Sequence, residues 1–421
     1  GITGSEQVEV DVLGRPVRSL SLTPPIAGNN VELTLDFPLQ QIAEVAMADN
    51  NGAIVAMDPT NGEILALVSM PGFEPGLFID GINSTLWNEL NTSPNKPLLN
   101  RALRGAYPPG STLKPYLALG ALESGKRHAA DAINDPGYYV LPGTTFTFRD
   151  DKKGGHGRVD MLKAVVESCD TYFYTLAFDT DIDDTARFLA PFGFGQRTGI
   201  DIDGEVMGVL PSRAWKRERF SGSAYREDHR RWYKGDSISA GIGQGYNSFT
   251  PLQLVQAVSA IATGGAVYRP HLLKRVIESS TGFPTETKPE LVRQINLKPE
   301  NIQFIRQAMT QVNQYGTAAR SFWGASYKSA GKTGTAQVFS LKGEKYEQGK
   351  LDKRLHDHAL YIAYAPVEDP KIAVAIIVEN GGFGARAAAP IARIMFDYYL
   401  LHKEPEQKQP LPPKTEVDWE E

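Results

Sequence analysis

Four short apolar runs, paired at opposite ends of the chain, restrict the fold more than any other feature. Gly52–Met57 and Glu63–Val68 flank Asp58-Pro-Thr-Asn-Gly62, while Ala359–Tyr364 and Lys371–Val378 flank Val367-Glu-Asp-Pro370. Turn residues between apolar runs of this length specify β-hairpins. Between Pro71 and about Ser321 the pattern changes, and Thr112–Glu123, Asp160–Thr175 and Pro251–Ala262 read as helices broken by Gly- and Pro-rich loops. The simplest architecture is α/β in the α+β sense. One antiparallel sheet is built from both ends of the sequence and flanked by helices, with a mainly helical subdomain inserted between the hairpins. A helix of roughly three turns is expected from Leu35 onward, capped by Asp36 with Pro38 in its first turn, and a last helix from Ala387 to Leu401. Residues 1–34 alternate and then run into Thr23-Pro24-Pro25, reading as the end of a preceding module and a linker. Residues 35–402 form the main unit, and the Pro- and acid-rich 403–421 reads as a disordered tail.

Composition narrows the function by exclusion. Hydrophobic residues at 41% and charged residues at 22% are ordinary for a globular protein, and 44 basic against 49 acidic side chains leave a net charge of -5. No basic field points to nucleic acid or to an anionic membrane. A single cysteine, Cys169, cannot form an intramolecular disulfide. No run of 18 apolar residues exists, and the N-terminus lacks the features of a signal peptide, so the chain reads as soluble or as a soluble piece of something anchored.

The chemistry rests on serine and lysine. The spacing S-x-x-K occurs at Ser93–Lys96, Ser111–Lys114 and Ser329–Lys332. The first holds Pro94 and reads as a turn, and the last reads as extended. Ser111 follows Tyr107-Pro-Pro-Gly110 and opens an apolar helix, so the spacing places Lys114 one turn on, on the same face, as a nucleophile and its base require. Ser168-Cys169-Asp170 and Lys332-Thr333-Gly334-Thr335 complete an ordered set of three motifs known from serine acyl-enzymes that react with penicillin. The sequence resembles the transpeptidase domain of class B penicillin-binding proteins of the elongation type. The resemblance runs from Val8 to about Leu401 and includes Leu98–Pro115, Phe148–Gly157, Gly241–Tyr246 with Thr250–Gln253, and Lys332–Gln337.

The resemblance implies the penicillin-binding and serine β-lactamase-like fold and a peptidoglycan D,D-transpeptidase needing no cofactor for catalysis. Ser111 attacks the penultimate D-Ala carbonyl of a stem peptide and holds the acyl group until a neighbouring amine takes it. Lys114 acts as base, its pKa lowered by Lys332 and desolvation, and Ser168 relays a proton. Thr333 and Thr335 bind the terminal carboxylate with Lys332. The N–H groups of Ser111 and Thr335 form the oxyanion hole, and Gly334 lets the strand approach. Asp170 stands where the family usually has Asn, and its carboxylate is free to pair with a lysine. The implied partners are stem peptides, β-lactams and a membrane glycosyltransferase of the elongation machinery, with no nucleic acid. The implied location is the periplasm, with family members held there by an N-terminal anchor and a pedestal domain. A serine β-lactamase is disfavoured because no deacylating base stands out, and a penicillin sensor because such sensors lack the Val8–Leu35 segment.

Three further signals are read from the residues. The basic stretch Arg213–Lys234 reads as a solvated, mobile loop ahead of a guide for anionic glycan, and His356-Asp357-His358 as a packed histidine ahead of a metal pair. Cys169, Asp135, Asp150 and His156 supply one thiolate, one imidazole and two carboxylates, a donor set for closed, structural Zn²⁺, with Asp151 as the alternative to Asp150.

Overall fold

The two hairpins meet in one sheet. In a computed structural model that describes residues 1–338 and 353–405, strands β1 (Gly52–Met57), β2 (Ile64–Met70), β3 (Ala330–Ala336), β4 (His358–Ala365) and β5 (Ile372–Val378) lie in the order β3-β4-β5-β1-β2, all neighbours antiparallel. The hairpins join along β5 and β1, with Val378 opposite Gly52 and Ala373 opposite Met57. Every residue of these two strands is buried, which explains why their sequences are apolar without alternation. β3 is an edge strand.

The main helices are α1 (Phe37–Met47), α2 (Lys114–Glu123), α3 (Asp170–Asp179), α4 (Pro251–Ala262), α5 (Pro299–Gln314) and α6 (Ala389–Leu401). In α1 the Asp36 carboxylate accepts from the Leu39 N–H at 3.0 Å, Pro38 occupies the first turn, and Leu39, Ile42, Ala43 and Met47 make the buried stripe. Thr250 and Gln253 cap α4 reciprocally, and all twelve of its residues are buried against the sheet. Helices α1 and α6 pack on each other and on the sheet, and α5 lies along β3. The helical insertion occupies the chain between β2 and β3, as the sequence pattern anticipates. Ser5–Val10 pairs with Pro16–Thr23 in an exposed ribbon, and Asn30–Leu33 pairs with Leu273–Ile277. Among the described residues no helix is long and apolar enough to cross a membrane. The tail beyond residue 405 lies outside the described residues.

Two helix assignments need correction, and both corrections fall at the motifs. The segment expected to be helical from Asp160 to Thr175 is two helices, Met161–Val166 and α3, because Ser168 takes a left-handed backbone, φ 65°, that ends one before the other begins. The helix expected to open at Ser111 begins instead with a tight 3₁₀ turn, Gly110–Leu113, and becomes α-helical at Lys114.

Candidate active site

The 3₁₀ turn is better suited to the S-x-x-K pair than an α-helix. Three residues per turn eclipse positions i and i+3, so Ser111 and Lys114 stand on one line, and the Lys114 N–H donates to the Ser111 carbonyl. The N–H of Ser111 itself lies in the first turn, where the helix supplies no acceptor. Lys114 is fully buried, and its ammonium has three donors for three acceptors: the Ser168 carbonyl at 2.6 Å, Ser168 Oγ at 3.2 Å and Asp170 Oδ1 at 2.6 Å. The left-handed turn at Ser168 is what brings its carbonyl and hydroxyl to the same lysine. Asp170, left open by the sequence, pairs with Lys114.

Lys332 enters from β3, also fully buried, and donates to Ser168 Oγ at 2.9 Å and to the Thr333 carbonyl at 3.0 Å. The two ammonium groups thus share one hydroxyl. Burial pushes Lys332 well below the usual lysine pKa, and the charge of Lys114 adds to the effect. Among the described residues Lys332 makes no ion pair, whereas Lys114 has Asp170.

Thr333 Oγ1 lies 2.7 Å from Thr317 Oγ1, and the Thr335 carbonyl accepts from Gln244 Nε2 at 2.9 Å. A strand residue directs its N–H and carbonyl to the same side. With both carbonyls met by side chains, the N–H groups of Thr333 and Thr335 also face the open edge. Gly334 permits the approach: a Cβ there would lie 2.8 Å from Thr112 Cγ2 and 2.9 Å from the Pro109 carbonyl. All eight residues read from the three motifs therefore lie on elements brought together by the edge of the sheet. Sequence reasoning missed Thr317, which carries no motif, and Gln244, which was visible only as part of Gly241–Tyr246.

Asp135, Asp150, His156 and Cys169 converge on the other side of the Ser168–Asp170 turn. All four are buried, and one ligand atom from each lies within 4.8 Å of the others. His156 Nδ1 is 2.9 Å from Asp135 Oδ2 and 3.3 Å from Asp150 Oδ1, and Cys169 Sγ is 3.5 Å and 3.4 Å from the two carboxylates. Asp150, and not Asp151, belongs to the cluster. Gly155 makes the chain reversal before His156 with φ 76°, and a Cβ there would come 2.2 Å from the Asp135 carbonyl. Burial, then the charge of Asp150, pushes the Cys169 thiol far up. Two carboxylates and a thiol buried together are what a divalent cation neutralises, so the donor set fits Zn²⁺.

Of the remaining signals, His358 is packed: its Nδ1 accepts from the Asn380 N–H at 3.0 Å, and its ring meets Tyr107 edge-on at 5.5 Å. The stretch read as a solvated loop contains instead the helix Arg213–Arg219 and a buried lysine, Lys216, because aromatic rings and Asp236 surround its charge.

The penicillin binding protein transpeptidase domain matches residues 52–397, and the chain belongs to that family. It is 44% identical over 414 residues to the peptidoglycan D,D-transpeptidase MrdA of Acinetobacter baumannii, covering 98% of this chain and 60% of that protein. Among solved structures it is similar to Pseudomonas aeruginosa PBP2 in complex with WCK 5153, with TM-score 0.78, 39% identity and coverage of 91% of this chain and 80% of the other. It is also similar to a chain of a peptidoglycan synthase complex that coordinates polymerization and crosslinking, with TM-score 0.76, 32% identity and coverage of 94% and 67%. The chain spans about 60% of the length of the curated relatives it matches.

Proposed function

We propose that the chain is a peptidoglycan D,D-transpeptidase acting through an ester on Ser111, acylated in the same way by β-lactams. The observation that carries this reading is the sharing of Ser168 Oγ by the Lys114 and Lys332 nitrogens, at 3.2 Å and 2.9 Å, on the turn beside Ser111. A proton passed from Lys114 through Ser168 Oγ to Lys332 leaves a neutral amine on Lys114, ready to take the Ser111 hydroxyl proton. Binding of the substrate's terminal carboxylate beside Lys332, Thr333 and Thr335 favours the charged form of Lys332 and drives that transfer. Ser111 Oγ then bonds to the penultimate D-Ala carbonyl carbon, and the oxyanion is met by the N–H groups of Ser111 and Thr335. The C–N bond breaks, and the terminal D-Ala leaves with the proton returned through Lys114 and Ser168. An acceptor amine on a second stem repeats the steps in reverse.

In this reading Asp135, Asp150, His156 and Cys169 hold a structural Zn²⁺ that takes no part in the chemistry and fixes the turn carrying Ser168 and Asp170. Residues 35–402 form the catalytic unit, and 1–34 the end of a preceding module. Because the stem peptides lie outside the cytoplasmic membrane, the protein works in the periplasm, anchored to that membrane. Its partner is a membrane glycosyltransferase of the elongation machinery, a pairing supported by the similarity to the synthase complex. The test is peptide mass spectrometry after treatment with a fluorescent penicillin. The adduct is expected on Ser111, and an adduct on Ser93 or Ser329 overturns the assignment.

A further inference from the structure

The segment Gly241–Tyr246 grips the reaction centre from both sides. The Gly243 carbonyl accepts from the Gly110 N–H at 3.0 Å, immediately before Ser111, and the Gln244 amide donates to the Thr335 carbonyl at 2.9 Å. One turn of chain is therefore bonded to Thr335 and to the residue immediately before Ser111. The turn is braced internally by Asn247, whose side-chain amide donates to the carbonyls of Ala240 and Gln244, each at 3.1 Å. Tyr246 leaves the far end of it, into a cage around the Lys216 ammonium.

Lys216 is only 3% exposed. Its Nζ is 5.1 Å from the Tyr246 ring centroid, 5.4 Å from Tyr233 and 5.5 Å from Trp232, and it pairs with Asp236 Oδ2 at 2.5 Å. Asp236 also accepts from the Tyr233 N–H at 2.8 Å, and the Trp215 ring lies tilted against Tyr246 at 5.2 Å between centroids. A buried ammonium needs such partners, since cation–π contacts strengthen on desolvation and an unpaired buried charge is costly. The charge thus binds three separate pieces of chain: the helix Arg213–Arg219, the turn at Trp232–Asp236 and Tyr246.

We propose that Lys216 and Gln244 are positioning residues for the acylation of Ser111, acting as one unit: the caged ammonium holds the 241–246 turn, and the turn sets the separation of the Ser111 and Thr335 N–H groups. The inference rests on the transpeptidase reading. It predicts a defect in the chemical step more than in binding, because misplacement of an oxyanion donor is felt most where charge develops.

The experiment measures penicillin acylation of the full chain by stopped flow, separating the acylation rate constant from the binding constant, with active fraction set by adduct stoichiometry. Lys216→Met and Gln244→Ala are each expected to lower the rate constant about 10- to 100-fold, the scale of a small misplacement at a reacting centre, with the binding constant within a few-fold of the parent. The double variant is expected to be no slower than the worse single, since both changes break one linkage. An unchanged rate constant in either single variant, a loss confined to active fraction, or multiplied effects in the double variant would overturn the proposal. If Lys216→Met does not fold, Tyr246→Leu, which removes one wall of the cage and keeps the Lys216–Asp236 pair, replaces it in the same cycle. An unmodified parent chain that takes no adduct on Ser111 refutes the transpeptidase reading instead, so the two failures are separable.

Discussion

The turn Ser168–Cys169–Asp170 divides two polar clusters of opposite sign. On one side Ser168 and Asp170 meet two fully buried lysines; on the other Cys169 meets two buried carboxylates and a histidine. In the cationic cluster Asp170 pairs with Lys114, and the Ser168 hydroxyl is shared by both lysines. The anionic cluster has main-chain donors, the N–H groups of Gly137, His156 and Thr171, together with the His156 ring. In the proposed reading, neighbouring residues on one turn thus serve reactivity and rigidity. In the proposed mechanism the cationic cluster passes protons, with Asp170 paired to one of its two lysines. In the same proposal the anionic cluster holds an ion that ties the chain in place.

Substitutions can break this division or sharpen it. Ser111→Ala is expected to remove the penicillin adduct completely, whereas Cys169→Ser keeps it; mass spectrometry of both proteins decides. Lys114→Ala is expected to slow acylation about 10²- to 10⁴-fold, as loss of a general base does, with stopped-flow fluorescence as the readout. On the anionic side, a zinc-to-protein ratio near one is expected by elemental analysis. At a free metal concentration about 100-fold above Kd the ion would contribute about 2.7 kcal/mol. Chelation is therefore expected to lower Tm by roughly 3–4 °C in a unit of about 370 residues, and Cys169→Ser should show the lower Tm without chelator. Equal Tm values would leave the cluster without its ion.

Smaller effects separate the two lysines from the rest of the fold. Lys332 binds its proton less tightly folded than unfolded, so between its depressed folded pKa and the ordinary lysine value the unfolded state holds more protons. Stability contributed by this group accordingly rises with pH through that window. Lys332→Met is expected to flatten the alkaline rise of Tm, measured by calorimetry across pH, and an unchanged slope would contradict the burial of its charge. Asp36→Ala, remote from both clusters, should cost only about 1 kcal/mol through loss of the N-cap of α1, with adduct formation and zinc content unaltered.

Much of this was legible in the residues, for reasons that differ by region. The sheet was readable because β1 and β5 are apolar at every position and their turns carry Asp, Pro, Asn and Gly. The grouping of Asp135, Asp150, His156 and Cys169 was readable because the chain has one cysteine and seven histidines, and Asp135 and His156 stand beside Pro and Gly turn residues. The break at Ser168 was not, since helical periodicity continues across it and a left-handed serine has no sequence signature. The loop Arg213–Lys234 misled for a related reason. Arg and Lys indicate solvent in general, and it is Asp236 with the rings of Trp232, Tyr233 and Tyr246, distributed along the chain, that turns Lys216 inward.

The position of β3 at the edge of its sheet has one further consequence. An unpaired sheet edge normally invites another strand, the route to self-association, because it offers donors and acceptors in alternation. Here the acceptors are already used: the Thr333 carbonyl by Lys332 and the Thr335 carbonyl by Gln244. What remains outward is a row of donors, which a second copy of the strand cannot match fully and a short chain ending in a carboxylate can. The same side chains that assemble the site therefore disarm the edge as a template for aggregation, so Gln244→Ala should increase the tendency of concentrated protein to self-associate as well as slow its chemistry.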